Sequence, residues 1–154
     1  MKRWGILFAV IIIVGLLLRL PHPGTDTAQL EPVEVVMIRQ RGDTVEVETD
    51  TGAKGCGEAL EAAVEDMKAH ASGRIFLDTA DYLLLDTRDM EYAELYPLFR
   101  PGCRVCLARH VADLEHAAGF LKNHRPENSL LQICAEERRM ETLIEQQGGL
   151  ELVR

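Results

Sequence analysis

The chain has 154 residues, a formal net charge of −8 and only 5% aromatic residues. The acidic excess excludes a general nucleic-acid binder and a basic face for anionic lipid. With so few aromatics, base-stacking platforms and carbohydrate-stacking clefts have little material to draw on.

The first element is a 15-residue run of apolar residues and glycine, residues 4–18, preceded by Lys2 and Arg3. A spanning helix needs roughly 20 residues at about 1.5 Å each, so this run is short unless Arg19 snorkels. It has no polar face, which argues against a core helix. The basic amino-terminal flank favours the cytoplasm and places everything after the run outside. Cleavage requires small residues just beyond the core, but Arg19, Pro21, His22 and Pro23 follow. Ala28 is the nearest site for it, and Asp26 would hold its −3 position. The expectation is an uncleaved signal-anchor over 1–20, with Trp4, Phe8, Ile12 and Leu16 in contact with membrane lipid. Residues 21–32 read as a proline-punctuated linker, and 33–154 as one extracytoplasmic domain. About 125 residues are enough for one core.

Within the domain, the largely apolar 33–39 reads as a strand, and the strict alternation of 44–49 predicts a second, half-buried one. Arg41-Gly42-Asp43 supplies the turn of a hairpin and is also an integrin-type tripeptide; the turn reading is the one expected. The stretch 50–57 reads as a glycine-rich loop. It lacks the Gly-Lys-Ser/Thr ending of a phosphate loop. Over 58–71, Leu60, Ala63, Val64, Met67 and Ala71 form one helical stripe. Short apolar runs at 74–78 and 82–86 predict buried strands. A helix is expected over 90–99, a strand over 104–108, and a helix over 113–123 with Leu114, Ala117, Ala118 and Leu121 on one face. Residues 129–134 fit helix or strand. Met140, Leu143 and Ile144 suggest a helix over 136–147, and 150–153 a last strand. The fold class is α/β: an N-terminal transmembrane helix, then one small mixed-sheet domain of order β-β-α-β-α-β-α-(α)-β.

Of the four cysteines, Cys103 and Cys106 form a Cys-X-X-Cys pair, the possible redox site. A reactive pair wants its first thiol at a helix amino terminus. Here the motif runs into a strand, where positions i and i+3 point to opposite faces. Cys56, Cys134 and His110 have no zinc-ligand spacing. Asp78, Asp81, Asp86 and Asp89 cluster around the central strands and read chiefly as caps and turns. No histidine pairs with another at i, i+4, and no serine sits in a nucleophile elbow. No catalytic group, metal or cofactor is expected.

Residues 35 to about 121 resemble the first domain of the Ger(x)C family, the C subunits of spore germinant receptors. The likeness lies in the hairpin, the helix start Gly57-Glu58-Ala59-Leu60, and the strand pair Ile75-Phe76-Leu77 and Tyr82-Leu83-Leu84-Leu85. The strand Cys103-Arg104-Val105-Cys106-Leu107-Ala108 continues it. The lipoprotein cysteine, a histidine in the central strand pair, a Gly-Ile-Asp signature and the later domains have no counterpart. The resemblance implies an α/β fold in an extracytoplasmic membrane setting, and no functional residues. The expected function is a membrane-anchored binding or scaffolding protein with an envelope protein partner, related to spore germination, docking through an exposed hairpin strand. The alternative is a membrane-tethered thiol-disulfide oxidoreductase using Cys103 and Cys106. A cleaved, secreted binding protein is the third reading.

Overall fold

Along three neighbouring strands, successive side chains enter two separate cores, and that alternation organises the architecture. The computed structural model describes residues 30–154 apart from 89, 91, 137, 147 and 148. The membrane run, and with it Trp4, Phe8, Ile12 and Leu16, lies outside the described residues. No helix among the described residues is long and apolar enough to cross a membrane.

The strands are β1 (Leu30–Pro32), β2 (Val35–Arg41), β3 (Thr44–Thr49), β4 (Lys54–Gly57), β5 (Arg74–Phe76), β6 (Tyr82–Leu85), β7 (Arg104–Arg109), β8 (Thr142–Gln146) and β9 (Gly149–Val153). The helices are α1 (Leu60–His70), α2 (Tyr92–Leu95), α3 (Leu114–Asn123) and α4 (Leu130–Glu136), with a 3-10 turn at Leu77–Thr79. Seven strands form one sheet in the order β4-β3-β2-β6-β7-β8-β9. The inner four, β2, β6, β7 and β8, run parallel. An antiparallel hairpin strand closes each flank, β3 beside β2 and β9 beside β8, and β4 then pairs antiparallel with β3. β1 and β5 make a separate parallel pair, so the end of the expected linker is itself strand.

Val36, Ile38, Leu83, Leu85, Val105 and Leu107 fill one core with Leu60, Ala63, Val64 and Met67 of α1, Leu95 of α2, and Leu130 and Ile133 of α4. Val35, Met37, Tyr82, Leu84, Cys106 and Ala108 fill the other with Leu114, Ala117, Ala118 and Leu121 of α3. Strand side chains alternate between faces, so these are the two faces of the sheet. The result is a three-layer α/β/α domain. A parallel sheet buried on both faces needs near-continuous apolar strands, and Tyr82-Leu83-Leu84-Leu85 is fully buried.

Local chemistry sets the connections. Gly42 takes φ 62° in the two-residue turn between Arg41 and Thr44, as a primed hairpin turn requires. Asp113 caps α3, its carboxylate accepting the His116 N–H at 3.0 Å. The stripe in α1 is as expected at Leu60, Ala63, Val64 and Met67, all buried, while Ala71 lies at the cap past the helix end and is partly buried.

Several segments depart from the expected elements, among them 77–78, which form a 3-10 turn and not the end of a strand. Lys54–Gly57 is a strand, not part of a loop, because its glycines let α1 lie directly on it. The helix expected over 90–99 is reduced to Tyr92–Leu95, since Pro97 disfavours helix in the residue before it and removes an N–H. Past Glu136, the end of α4, the helix expected over 136–147 is absent among the described residues; the ambiguous stretch before it supplies α4 instead, and Thr142–Gln146 is strand β8. Pairing on both sides, with β7 and β9, outweighs the helical spacing of Met140, Leu143 and Ile144.

Candidate functional site

The Cys-X-X-Cys thiols enter different cores. Cys103 lies in the core beneath α1 and α4, whereas Cys106 lies in the core beneath α3. Both are fully buried, and the sheet separates them. Burial pushes the Cys103 thiol up to about 12, against a small opposing pull from Arg100. Burial pushes Cys106 further in the same direction, with Glu141 and Cys103 adding to it. A nucleophilic cysteine needs the opposite environment. All four cysteines are free thiols, and Cys56 alone is exposed.

The carboxylates are dispersed as local ties. Asp81 bridges Arg100. Asp86 accepts the Gln40 N–H with both oxygens at 3.1 Å. Asp78 sits in the 3-10 turn, and Asp89 lies outside the described residues. Among the described residues, no group of three His, Cys, Asp or Glu side chains is placed to hold a metal ion. His70 contacts Asp66, and His124 stacks on Phe120 with centroids 4.2 Å apart. His110 holds φ 59° just after β7.

In an open α/β sheet, ligands commonly sit beyond the carboxyl ends of parallel strands where successive crossovers leave on opposite faces. Here that point lies between β6, followed by α2 on one face, and β7, followed by α3 on the other. Three ties cross these ends. Arg39 donates to the Val111 carbonyl at 3.2 Å and to Glu48 at 2.6 Å. Asp86 holds Gln40, and Glu145 accepts the Ala112 N–H at 3.0 Å. Glu48 is also bridged by Lys54 at 2.6 Å. Burial alone would raise the Glu48 carboxyl, but hydrogen bonds and charge from Lys54 and Arg39 hold it below its ordinary value.

The sheet edges differ sharply. The expected docking edge, a strand of the first hairpin, is not free: β2 pairs with β3 and β6, and β3 with β2 and β4. At the true edge on that side, β4 is closed. Gly55 and Gly57 let the backbone of α1 press against it, and Asp66 of α1 accepts the Cys56 N–H at 3.0 Å. At the opposite edge, β9 pairs among the described residues only with β8. Alternate residues of an antiparallel edge strand turn their N–H and C=O groups away from the sheet. The β9 sequence Gly-Leu-Glu-Leu-Val has no lysine, proline or bulge, and Glu151 is the one charged guard on this edge. Leu150 and Leu152 pack half-buried on the α3 core, and Val153 is 40% exposed on the other face. Arg154 holds the far end, bridging Glu127 and also Glu141 at 3.2 Å. The sequence signalled β9 as a strand through its alternating leucines. Its position as an outer strand depended on β8, which helical spacing concealed.

Comparison with protein-family models, curated proteins and solved structures finds no match for the chain.

Proposed function

We propose that this chain is a binding or scaffolding protein held at the outer face of a membrane by residues 4–18, and that it docks an envelope protein through β9. The observation that carries the reading is the contrast between the two sheet edges: among the described residues, α1 packs on β4 and its Asp66 takes the Cys56 N–H, whereas no element covers β9. An open strand with alternating apolar side chains suits recognition by strand addition, in which backbone bonds give affinity and side chains give selectivity. The apolar run with its basic flank supports the membrane setting. The resemblance of residues 35 to about 121 to the first Ger(x)C domain extends the proposal to the envelope of a spore-forming cell.

Affinity capture of the full chain from solubilised membranes tests this. The expected result is a stable protein partner that Val153→Lys releases, because a lysine on an edge strand opposes pairing. Val153 is already exposed, so the variant keeps its fold. Failure to capture any protein, or full retention by Val153→Lys, refutes the reading.

A further inference from the structure

We infer that the groove along β5 takes an extended protein segment as an added antiparallel strand, and that this segment reads apolar, small, acidic in chain order. The site belongs to the two-stranded sheet and stands apart from the β9 docking edge.

The backbone of the β1–β5 pair decides which edge is open. The two strands run parallel, with Glu31 opposite Ile75 and Pro32 opposite Phe76. Two bond patterns can join a parallel pair at Glu31 and Ile75. One needs an N–H from residue 32, which proline lacks. The other remains, in which Glu31 donates to the Arg74 carbonyl and accepts the Phe76 N–H. Pro32 therefore lies on the outer edge of β1, where it blocks further pairing. On β5, the Ile75 N–H and C=O turn away from β1, and among the described residues no other strand or turn takes them.

A cavity of about 560 Å³ follows that free edge. It is lined by the six consecutive residues 73–78, and walled by Lys68 of α1 and by Pro97 and Leu98 after α2. A cavity lying on one face of a strand would meet alternate residues. This one also reaches Ile75 and Leu77, whose side chains are buried in the core, so it runs beside the backbone.

The walls select the occupant. An antiparallel residue opposite Ile75 exchanges both backbone bonds with it, whereas a parallel segment would divide them between two residues. Directly opposed side chains share a face, so this central residue points with Ile75 towards the core. Ile75 is only 5% exposed there, which leaves room for a small side chain alone. The neighbours of the central residue lie on the outer face with Arg74 and Phe76. The exposed Arg74 guanidinium lies over the Phe76 ring, 5.4 Å from its centroid. Lys68 is exposed as well, and among the described residues neither cation is paired with a carboxylate. Asp78 stands at the other end of the groove. An acidic side chain is therefore favoured opposite Arg74 and disfavoured towards Asp78. An apolar one fits opposite the half-buried Phe76. In an antiparallel segment these positions fall in the order apolar, small, acidic. Backbone bonds give such a site its affinity, and the side chains give its selectivity.

The test is fluorescence polarisation of the full-length chain in detergent micelles with a labelled peptide, Ser-Thr-Leu-Ala-Glu-Thr-Ser. Saturable binding is expected. Methylation of the alanine nitrogen removes the N–H that meets the Ile75 carbonyl and is expected to weaken binding roughly tenfold. Lysine in place of the peptide glutamate is expected to weaken it several-fold. Arg74→Glu, at an exposed position, is expected to reverse that preference, so that the lysine peptide binds the more tightly. Val153→Lys is expected to leave peptide binding unchanged, so failure of the β9 reading and failure of this site are told apart. No saturable binding of the glutamate peptide, equal binding of the methylated one, or an unaltered preference in Arg74→Glu overturns the inference. Tighter binding of the reversed order, Glu-Ala-Leu, overturns antiparallel addition. Loss of peptide binding in Val153→Lys places the peptide at β9 and overturns the site at β5.

Discussion

Gly55→Ala is the sharpest test of how α1 closes the β4 edge. A Cβ at position 55 would stand 2.7 Å from the Met67 Cα, and closer still to the Ala63 carbonyl oxygen and the Met67 nitrogen. These are backbone atoms of a helix whose Leu60, Ala63, Val64 and Met67 are locked in the core, so no side chain can rotate to relieve the contact. Carbon pairs rest at about 3.5–4.0 Å, so α1 must retreat by roughly 1 Å. Overpacking costs about 1–3 kcal/mol, and a backbone collision belongs at the upper end, ~3 kcal/mol. Unfolding entropy of about 2.1 cal/mol/K per residue over about 125 residues gives ~0.26 kcal/mol/K, so Tm falls by ~11 °C. Circular dichroism melting of the purified protein measures the shift. Hydrogen exchange at the Cys56 amide supplies an independent readout, since retreat of α1 breaks its bond to Asp66. Gly119→Ala is the control: it is exposed in the middle of α3 with nothing within 4 Å, and it is expected to stabilise by about 0.8–1 kcal/mol. A Gly55→Ala loss under ~1 kcal/mol, with slow exchange at Cys56, would refute the close-contact argument.

Removing the α3 cap by Asp113→Ala is expected to cost ~1 kcal/mol in urea unfolding; no change would mean that the His116 N–H is satisfied otherwise. Glu48→Gln is expected to lower stability at neutral pH by ~0.5–1 kcal/mol, a modest figure because Lys54 is largely exposed. The Glu48 pKa is lowered in the folded state, so its contribution is present above the unfolded glutamate value and is lost as pH falls through the folded value. The gap between variant and parent should therefore narrow on acidification. Asp50 behaves oppositely. Burial raises its carboxyl despite the bonds it accepts from Glu34 and Val35, so its contribution is present below the unfolded aspartate value and is lost as pH rises through the folded one. Carbonyl NMR titration should show Asp50 above, and Glu48 below, their ordinary values. In thiol labelling at mild alkaline pH, Cys56 should react at once, and Cys103 and Cys106 only on unfolding. Rapid native labelling of both buried thiols, or oxidation that joins them, would overturn their placement in separate cores.

Much of the domain was legible because periodicity and burial agree there. The α1 stripe, the first hairpin turn at Gly42 and the strand Tyr82–Leu85 each follow from local pattern. The opposed facing of Cys103 and Cys106 followed from strand geometry alone. Where the reading failed, non-local contacts decided the outcome. Lys54–Gly57 looks like loop because its two glycines carry no strand propensity; they are there for the helix above them. Met140, Leu143 and Ile144 have helical spacing, yet Leu143 is buried in a strand held from both sides. Missing β8 hid the open edge, because β9 becomes an outer strand only once β8 lies inside it. Pro97 was the local signal that could have shortened α2.

The placement of β9 also has a mechanical consequence. If the proposed anchor holds the amino-terminal side and the proposed partner grips β9, tension crosses the sheet from β2 to β9. β2 is flanked on both sides by strands and would have to shear several ladder bonds at once. Among the described residues β9 is bonded on one side only, to β8, and opens pair by pair from Val153 towards Gly149. Under such a load β9 would open first, and the grip would yield while the rest of the sheet remained folded.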